Sequence, residues 1–114
     1  MSKFVMLLVE DDSLQREILA ELLKDEGFEV VECSTAEAAE LIVASTGDEL
    51  RALITDHNLA GRMTGVELAE YARARCPALP IIVMSGTHTA ALPADTIFLH
   101  KPFPPALFLE AVTS

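Results

Sequence analysis

Five short, mainly apolar runs recur along the chain, and none shows a regular alternation with polar residues. The runs occupy residues 4–9, 28–31, 52–55, 81–84 and 97–99. Continuous apolar segments of this length are typical of strands that are buried on both faces, as in a parallel sheet. The pattern therefore predicts a parallel sheet with helices on both sides.

Helical patterns fill the intervals between these runs. A first helix, ended by Gly27, is predicted by an apolar stripe, which consists of Leu14, Ile18, Leu22 and Leu23. Capping boxes, in which a short polar residue precedes Glu or Gln by three positions, are expected to open three helices: Asp12 with Gln15, Ser34 with Glu37, and Thr64 with Glu67. A last helix is expected to begin at Pro104 and Pro105.

The resulting order is β-α-β-α-β-α-β-loop-β-α. Alternation of this kind predicts an α/β fold, a doubly wound open parallel sheet with right-handed crossovers. The 114 residues fit one domain, 1–114. In such folds a ligand site lies beyond the carboxyl ends of the strands, so the residues that follow each strand are the candidates for function.

Charge narrows the possible partners. The formal net charge is −10, which disfavours nucleic acid and anionic membrane as binding partners. The two cysteines, Cys33 and Cys76, lack the spacing of a zinc site or a disulfide framework.

The apolar run at 4–9 is too short for a signal-peptide core, and no run is long enough to span a bilayer. We therefore expect a cytoplasmic protein.

Complementary polar groups follow four of the predicted strands: Glu10, Asp11 and Asp12; Asp56, His57 and Asn58; Ser85; and Lys101. Crowded carboxylates repel each other, and a hard cation relieves the repulsion. Oxygen-only ligands favour Mg²⁺. A carboxylate beside such an ion can attack phosphorus and form an aspartyl phosphate. A lysine can neutralise charge on the transferred group, and a serine hydroxyl can donate to it.

Each of these groups has a simpler explanation when it is taken alone. The three acids can favour a helix N-terminus through the macrodipole, and we assign Asp12 mainly to capping. A lone Asp56 reads as a loop or cap residue, Ser85 with Gly86 as a turn, and Lys101 as a solvated lysine. The prediction of a site therefore depends on their conjunction at one edge of the sheet.

Nearly the whole chain resembles the receiver domain of two-component response regulators. The stretches that carry the resemblance are 7–12, 53–58, 64–68, 82–86 and 101–103. It implies a flavodoxin-like, five-stranded parallel sheet in the order 2-1-3-4-5. It also implies Mg²⁺ as cofactor, and a histidine kinase or histidine phosphotransfer protein as the source of a phosphoryl group.

The resemblance implies a role for each matching residue. Asp56 corresponds to the phospho-acceptor, with Lys101 and Ser85 as its catalytic neighbours. Ser85 and Phe98 correspond to the pair that switches on activation. The implied metal ligands are Glu10, acting through water, Asp11, acting directly, Asp56, and the backbone carbonyl of Asn58. The bond between Lys101 and Pro102 is implied to be cis.

Several features depart from the family pattern. Ala60 stands where a proline is usual, in a loop one residue longer, as in receivers attached to hybrid sensor kinases. Ser85 and Lys101 are only 16 positions apart (101 − 85), so helix four is expected to be shortened to a turn within 87–94 or to be missing. We also expect phosphorylation to order 87–94 for a partner to recognise. We also expect the last helix to be short, ending at Ser114, with no output domain after it.

We predict a phosphorylation-activated signalling switch that changes its binding to a downstream protein target. It is not a metabolic enzyme, because it catalyses only its own phosphorylation and dephosphorylation. One alternative is a receiver-like scaffold that is never phosphorylated, against which the complete set of site residues argues. An FMN carrier is disfavoured by the three acids after the first strand. A haloacid-type phosphatase would need a second aspartate where Asn58 stands.

Overall fold

The computed structural model describes residues 3–87 and 91–113. Within these residues, five strands form one parallel sheet in the order β2-β1-β3-β4-β5, which confirms the expected topology. The strands are β1 (Val5–Val9), β2 (Glu29–Cys33), β3 (Leu50–Asp56), β4 (Ile81–Ser85) and β5 (Thr96–His100). Each overlaps one of the predicted apolar runs.

Four α-helices flank the sheet within the described residues: α1 (Ser13–Asp25), α2 (Ala36–Thr46), α3 (Gly65–Arg75) and α4 (Pro105–Thr113). A 3₁₀ turn, Gly47–Glu49, precedes β3. Ser114, where the last helix was expected to end, lies outside the described residues. Among the described residues, no helix is both long and apolar enough to cross a membrane.

Alternate residues of the central strands build two separate cores, because successive side chains of a strand point to opposite faces. Leu7 and Leu53 pack on the side of α2 and α3. Met6 and Ile54 pack on the side of α1 and α4, together with the fully buried Phe108. The helices on both faces explain why the central strands β1 and β4 are almost entirely apolar and buried.

The helix termini confirm most of the predicted caps. The Asp12 side chain accepts the backbone N–H of Gln15, and Thr64 forms a complete capping box with Glu67. The assignment of Ser34 to the start of α2 is wrong. Thr35 takes the extended cap conformation and its Oγ1 accepts the N–H of Ala38 at 3.2 Å. The helix consequently begins one residue later than Ser34 requires.

The predicted core stripe of α1 is only half correct. Leu23 is buried, and Leu19 and Ala20 join it, but Leu14 and Ile18 are 66% and 53% exposed. The helix is rotated so that the face containing Leu19 and Leu23 meets the sheet. Leu14 and Ile18 are therefore left on the surface, beside the N-terminal end of the helix.

The connection between β4 and β5 has no helix in its described parts, residues 86–87 and 91–95, as expected from its length. Residues 88–90, within the segment 87–94 expected to respond to phosphorylation, lie outside the described residues. Leu92 packs against the core on the α2–α3 side. The Arg73 guanidinium of α3 donates to the carbonyls of Ala94 at 2.9 Å and Asp95 at 3.2 Å. One side chain of α3 thus holds the end of this connection.

Candidate functional site

The acidic residues predicted to meet at the carboxyl edge of the sheet do meet there. Carboxylate oxygens of Glu10, Asp11 and Asp56 all lie within 4.8 Å of one another. Glu10 is 1% and Asp56 5% exposed, whereas Asp11 is open to solvent. They converge because β1 and β3 are adjacent parallel strands, so their carboxyl ends reach the same edge.

Lys101 points into this cluster from the end of β5. Its backbone N–H donates to the carbonyl of Ser85 at 2.8 Å, and the bond to Pro102 is cis, as the resemblance implied. Its Nζ lies 2.8 Å from Asp56 Oδ1 and 3.0 Å from Glu10 Oε1. The lysine predicted from the sequence is therefore the counter-charge of the carboxylate pair.

Gln15 is a site residue that the sequence reasoning missed. Its Oε1 accepts a third hydrogen bond from Lys101 Nζ at 3.0 Å. The sequence pattern assigns Gln15 only to capping, and its backbone N–H does donate to Asp12 Oδ1 at 3.0 Å. The one sequence signal for a role in the site is its position in the first turn of α1, three residues after the acidic run.

Burial and neighbouring groups shift the pKa values of Glu10 and Lys101 in opposite directions. Burial raises the pKa of Glu10 above 4.5, and the hydrogen bonds from Lys101 and from the backbone of Asp12 offset only part of that rise. Burial alone would lower the pKa of Lys101, but its hydrogen bonds to Asp56 and Glu10 outweigh burial and raise it above 10.5. Lys101 therefore stays charged.

The donor set fits a divalent cation. With all groups ionised, three carboxylates and one ammonium carry −3 + 1 = −2, which a divalent ion balances. Mg²⁺–oxygen distances of 2.0–2.1 Å place two ligand atoms at most about 4.2 Å apart, close to the 4.8 Å span of Glu10, Asp11 and Asp56. Asn58 is exposed two residues beyond Asp56, and the role of its carbonyl stays a prediction.

Ser85 lies at the end of β4, where Met84 is the register partner of Asp56. Its hydroxyl is fully buried, lies 3.1 Å from Thr87 Oγ1 and accepts the N–H of Thr87 at 3.1 Å. Phe98 is half-buried against the α2–α3 core. Both residues occupy the expected places in the fold, and their switching roles stay predictions.

Gly65 fixes the backbone behind the acceptor. Its N–H donates to the carbonyl of His57 at 2.9 Å, and a Cβ at this position would overlap the carbonyl oxygen of Asp56. The start of α3 can approach β3 this closely only because residue 65 has no side chain. The resemblance included this glycine, but its packing against Asp56 was not predicted.

Glu37, assigned from the sequence to a capping box, instead holds the loop that follows Asp56. Its Oε2 accepts the backbone N–H groups of Arg62 at 2.9 Å and Met63 at 3.0 Å. Gly61, at φ +101°, lies against the same carboxylate. Backbone hydrogen bonds, from Glu37 itself first and then from these two residues, lower its pKa. The loop after Asp56 is thus anchored on α2.

An apolar groove borders the acidic cluster on the side of α1. Its volume is about 420 Å³, and it is lined by Gln15, Ile18, Leu19, Lys101, Pro102 and Phe103. The exposed side chain of Leu14 lies next to Gln15 in the same helix. The site therefore combines a charged centre with an apolar border.

We expect Mg²⁺ to stabilise the parent through this cluster. At about ten times its dissociation constant, an ion that binds only the native state adds about 1.4 kcal/mol, or about 5 °C in melting temperature for a domain of this size. Asp11→Ala should lose more than half of that shift. Asp25→Ala, which removes an acid from the far end of α1, should retain it. Equal responses in the two variants, measured by thermal melts in EDTA and in Mg²⁺, would contradict the metal site.

The sequence of this chain is similar to those of known response regulators. Residues 6–113 match the family model described as the response regulator receiver domain. The response regulator protein FleR of Pseudomonas aeruginosa is 34% identical over 113 residues. That alignment covers 94% of the chain but only 23% of FleR, so the chain spans about a quarter of that relative's length.

Solved structures give the same result for the fold. The response regulator receiver protein of Sinorhizobium medicae superposes with a TM-score of 0.88 at 28% identity, covering 98% of this chain and 93% of that one. The receiver domain of the hybrid histidine kinase CckA superposes with a TM-score of 0.82 at 30% identity, covering 95% and 94%.

Proposed function

Because the chain belongs to the response regulator receiver family, we propose that it is a phosphorylation-activated signalling switch whose phospho-acceptor is Asp56. The observation that carries the proposal is the 2.8 Å contact between Lys101 Nζ and a nearly buried Asp56 carboxylate within a cluster of three acids. A structural ion pair would not require two further acids beside it, whereas phosphoryl transfer uses all of these charges.

The proposed reaction is a direct phosphoryl transfer from a phosphohistidine. An Asp56 oxygen forms a bond to phosphorus while the bond from phosphorus to the histidine nitrogen breaks, and that nitrogen keeps the electron pair and takes a proton. Lys101 stabilises negative charge on the transferred oxygens. The Ser85 hydroxyl donates to one of them after turning from Thr87. Asp11, Asp56 and the Asn58 carbonyl, with Glu10 acting through water, would hold Mg²⁺, which would supply further positive charge.

Dephosphorylation returns the domain to its starting state. Water attacks the phosphorus, the bond to the Asp56 oxygen breaks, and inorganic phosphate leaves. The domain thus catalyses only its own modification and is not a metabolic enzyme. Its output is altered binding to a downstream protein target, through coupled movement of Ser85 and Phe98.

The surface around the cluster supports a protein as the donor. Leu14 and Ile18 are 66% and 53% exposed, and Ile18 lines the apolar groove that ends at Lys101. A histidine kinase or histidine phosphotransfer protein can bury these side chains while it presents its histidine to Asp56. We propose the cytoplasm as the location, since such donors act there.

Phosphorylation by a small-molecule donor tests the proposal. With phosphoramidate and Mg²⁺, the parent should gain the mass of one phosphoryl group, and EDTA should prevent the gain. Asp56→Asn should abolish it. Asp12→Asn is the matched control, because asparagine still caps α1, and it should be phosphorylated like the parent. Phosphorylation of Asp56→Asn at the parental rate would refute the assignment, and a parent that never gains mass would favour the unphosphorylated scaffold.

A further inference from the structure

The hydrogen bonds of Lys101 are all in use before any phosphoryl group arrives. An ammonium group has three N–H donors. The structure gives Lys101 Nζ three oxygen partners: Asp56 Oδ1 at 2.8 Å, Glu10 Oε1 at 3.0 Å and Gln15 Oε1 at 3.0 Å. To donate to an oxygen of the transferred group, Lys101 must therefore release one of the three.

Gln15 is the partner that costs least to release. The Glu10 and Asp56 side chains have only 2% and 8% of their surface exposed, and each forms an ion pair with the Lys101 ammonium, so attraction between opposite charges adds to its hydrogen bond. Gln15 offers a neutral amide oxygen from an exposed position. Water can satisfy that amide once it is released, whereas a buried carboxylate would be left without its counter-charge.

The surroundings of Gln15 leave space for this movement. Its side chain lines the groove of about 420 Å³ beside Lys101. The backbone of Gln15 stays in place, because its N–H is held by Asp12 Oδ1 at 3.0 Å. Release of Lys101 thus requires only a rotation of the Gln15 side chain, with no change in the helix.

We propose that Gln15 is a positioning residue that restrains Lys101, so that the residue at position 15 sets how readily Asp56 is phosphorylated. This inference rests on the proposed function of Asp56. In the transfer step, the Asp56 oxygen bonds to phosphorus and the donor nitrogen leaves with its electron pair. Lys101 exchanges the Gln15 amide for a phosphoryl oxygen in the same step. Weakening the restraint should accelerate the transfer, and strengthening it should slow the transfer.

Two substitutions at position 15 should act in opposite directions. Gln15→Met keeps the length and apolar stem of the side chain but removes the acceptor, and it should raise the rate of phosphorylation by phosphoramidate about fivefold, the typical net value of one hydrogen bond that water can replace. Gln15→Glu replaces the amide with a charged acceptor and should lower that rate about fivefold or more. A general loss of structure could not produce both changes.

Two further measurements separate this role from a structural one. Affinity for beryllofluoride in Mg²⁺ should rise about fivefold in Gln15→Met. In the metal-free protein, the ammonium protons of Lys101, followed by ¹⁵N NMR, should exchange with water faster in that variant than in the parent. Leu41→Met is the control, since Leu41 is a 71% exposed leucine of α2 that lies outside the site, and it should match the parent in every measurement. Thermal melts should show all three variants folded.

The outcomes distinguish the two proposals. If Asp56→Asn blocks phosphorylation but Gln15→Met and Gln15→Glu both react at the parental rate, the restraint is wrong and the proposed function stands. Changes of the same sign in the two variants would also overturn it. If the parent itself takes up no phosphoryl group, the proposed function fails and this inference fails with it.

Discussion

Replacing Lys101 with methionine should lower the free energy of unfolding of the metal-free protein by about 3 kcal/mol, the low end of the cost of removing one partner from a buried ion pair. The low end applies because the Lys101 side chain is 21% exposed. Its loss leaves Glu10 and Asp56 facing each other without a counter-charge. Lys24→Met is the matched control: Lys24 is 50% exposed and 3.9 Å from Glu32, and its loss should cost less than about 0.5 kcal/mol.

The free energy of unfolding should depend on pH in a way that identifies charge as the cause of this loss. Burial is the main cause that raises the folded-state pKa of Glu10 above its unfolded-state value of 4.5. At a pH between the unfolded-state and folded-state pKa values, the native state therefore binds more protons than the unfolded state. Stability attributable to Glu10 therefore falls as the pH rises through that window. Without Lys101 the pKa of Glu10 should rise further and the window should extend to higher pH.

Urea unfolding of both lysine variants from pH 4.5 to pH 8 measures the effect. The deficit of Lys101→Met relative to the parent should shrink on acidification, as the crowded carboxylates take up protons, whereas Lys24→Met should follow the parent throughout. A deficit that does not change with pH would show that the loss comes from packing rather than from charge.

Gly65→Ala should have a comparable cost, about 3 kcal/mol, the upper part of the usual range for overpacking. The added methyl group would meet the carbonyl of Asp56 and the Cα of His57. These are backbone atoms of β3 and its continuation, so they cannot rotate away as a side chain can. Either α3 or the end of β3 must shift, and a shift of β3 carries the Asp56 carboxylate with it.

The matched control for this substitution is Gly86→Ala, at the end of β4, where an added Cβ has nothing within 4 Å. It should change stability by less than about 0.5 kcal/mol. Thermal melts measure the stability of both variants, and the mass gain from phosphoramidate measures their reactivity. Gly65→Ala should be impaired in both assays. A parental melting temperature for Gly65→Ala would contradict the close packing of α3 against Asp56.

The strands, the helices and the parallel sheet could be predicted because their determinants are local, whereas the strand order 2-1-3-4-5 was implied by the resemblance. Five mainly apolar runs and the patterns between them mark the strands and helices, and the parallel order brings Glu10, Asp11, Asp56 and Lys101 to one edge. The orientation of α1 could not be predicted in the same way. Leu14 and Ile18 have helical spacing, but spacing does not say which of two apolar faces meets the sheet. Similarly, Ser34 and Thr35 are both good caps, and the backbone conformation decides between them.

The missed site residues depend on contacts that spacing does not encode. Gln15 and Lys101 are 86 residues apart, and Glu37 and Arg62 are 25 apart. Each contact is made by a side chain that reaches from one element to another. Gln15 and Glu37 also fit a local motif, the capping box, which offered a sufficient explanation for both. A residue that satisfies a local rule can still contribute its side chain elsewhere.

The concentration of negative charge at the edge of the sheet has a consequence for the lifetime of the protein in a cell. Glu10, Asp11 and Asp56 lie together with Lys101 as their counter-charge, so a cation that binds there only in the native state would raise the free energy of unfolding. Proteases act on the unfolded fraction, and a difference of 1–2 kcal/mol changes abundance several-fold. The cation-free form should therefore be degraded faster than the cation-bound form. The amount of protein in the cell should then rise with the fraction of molecules whose site holds a cation.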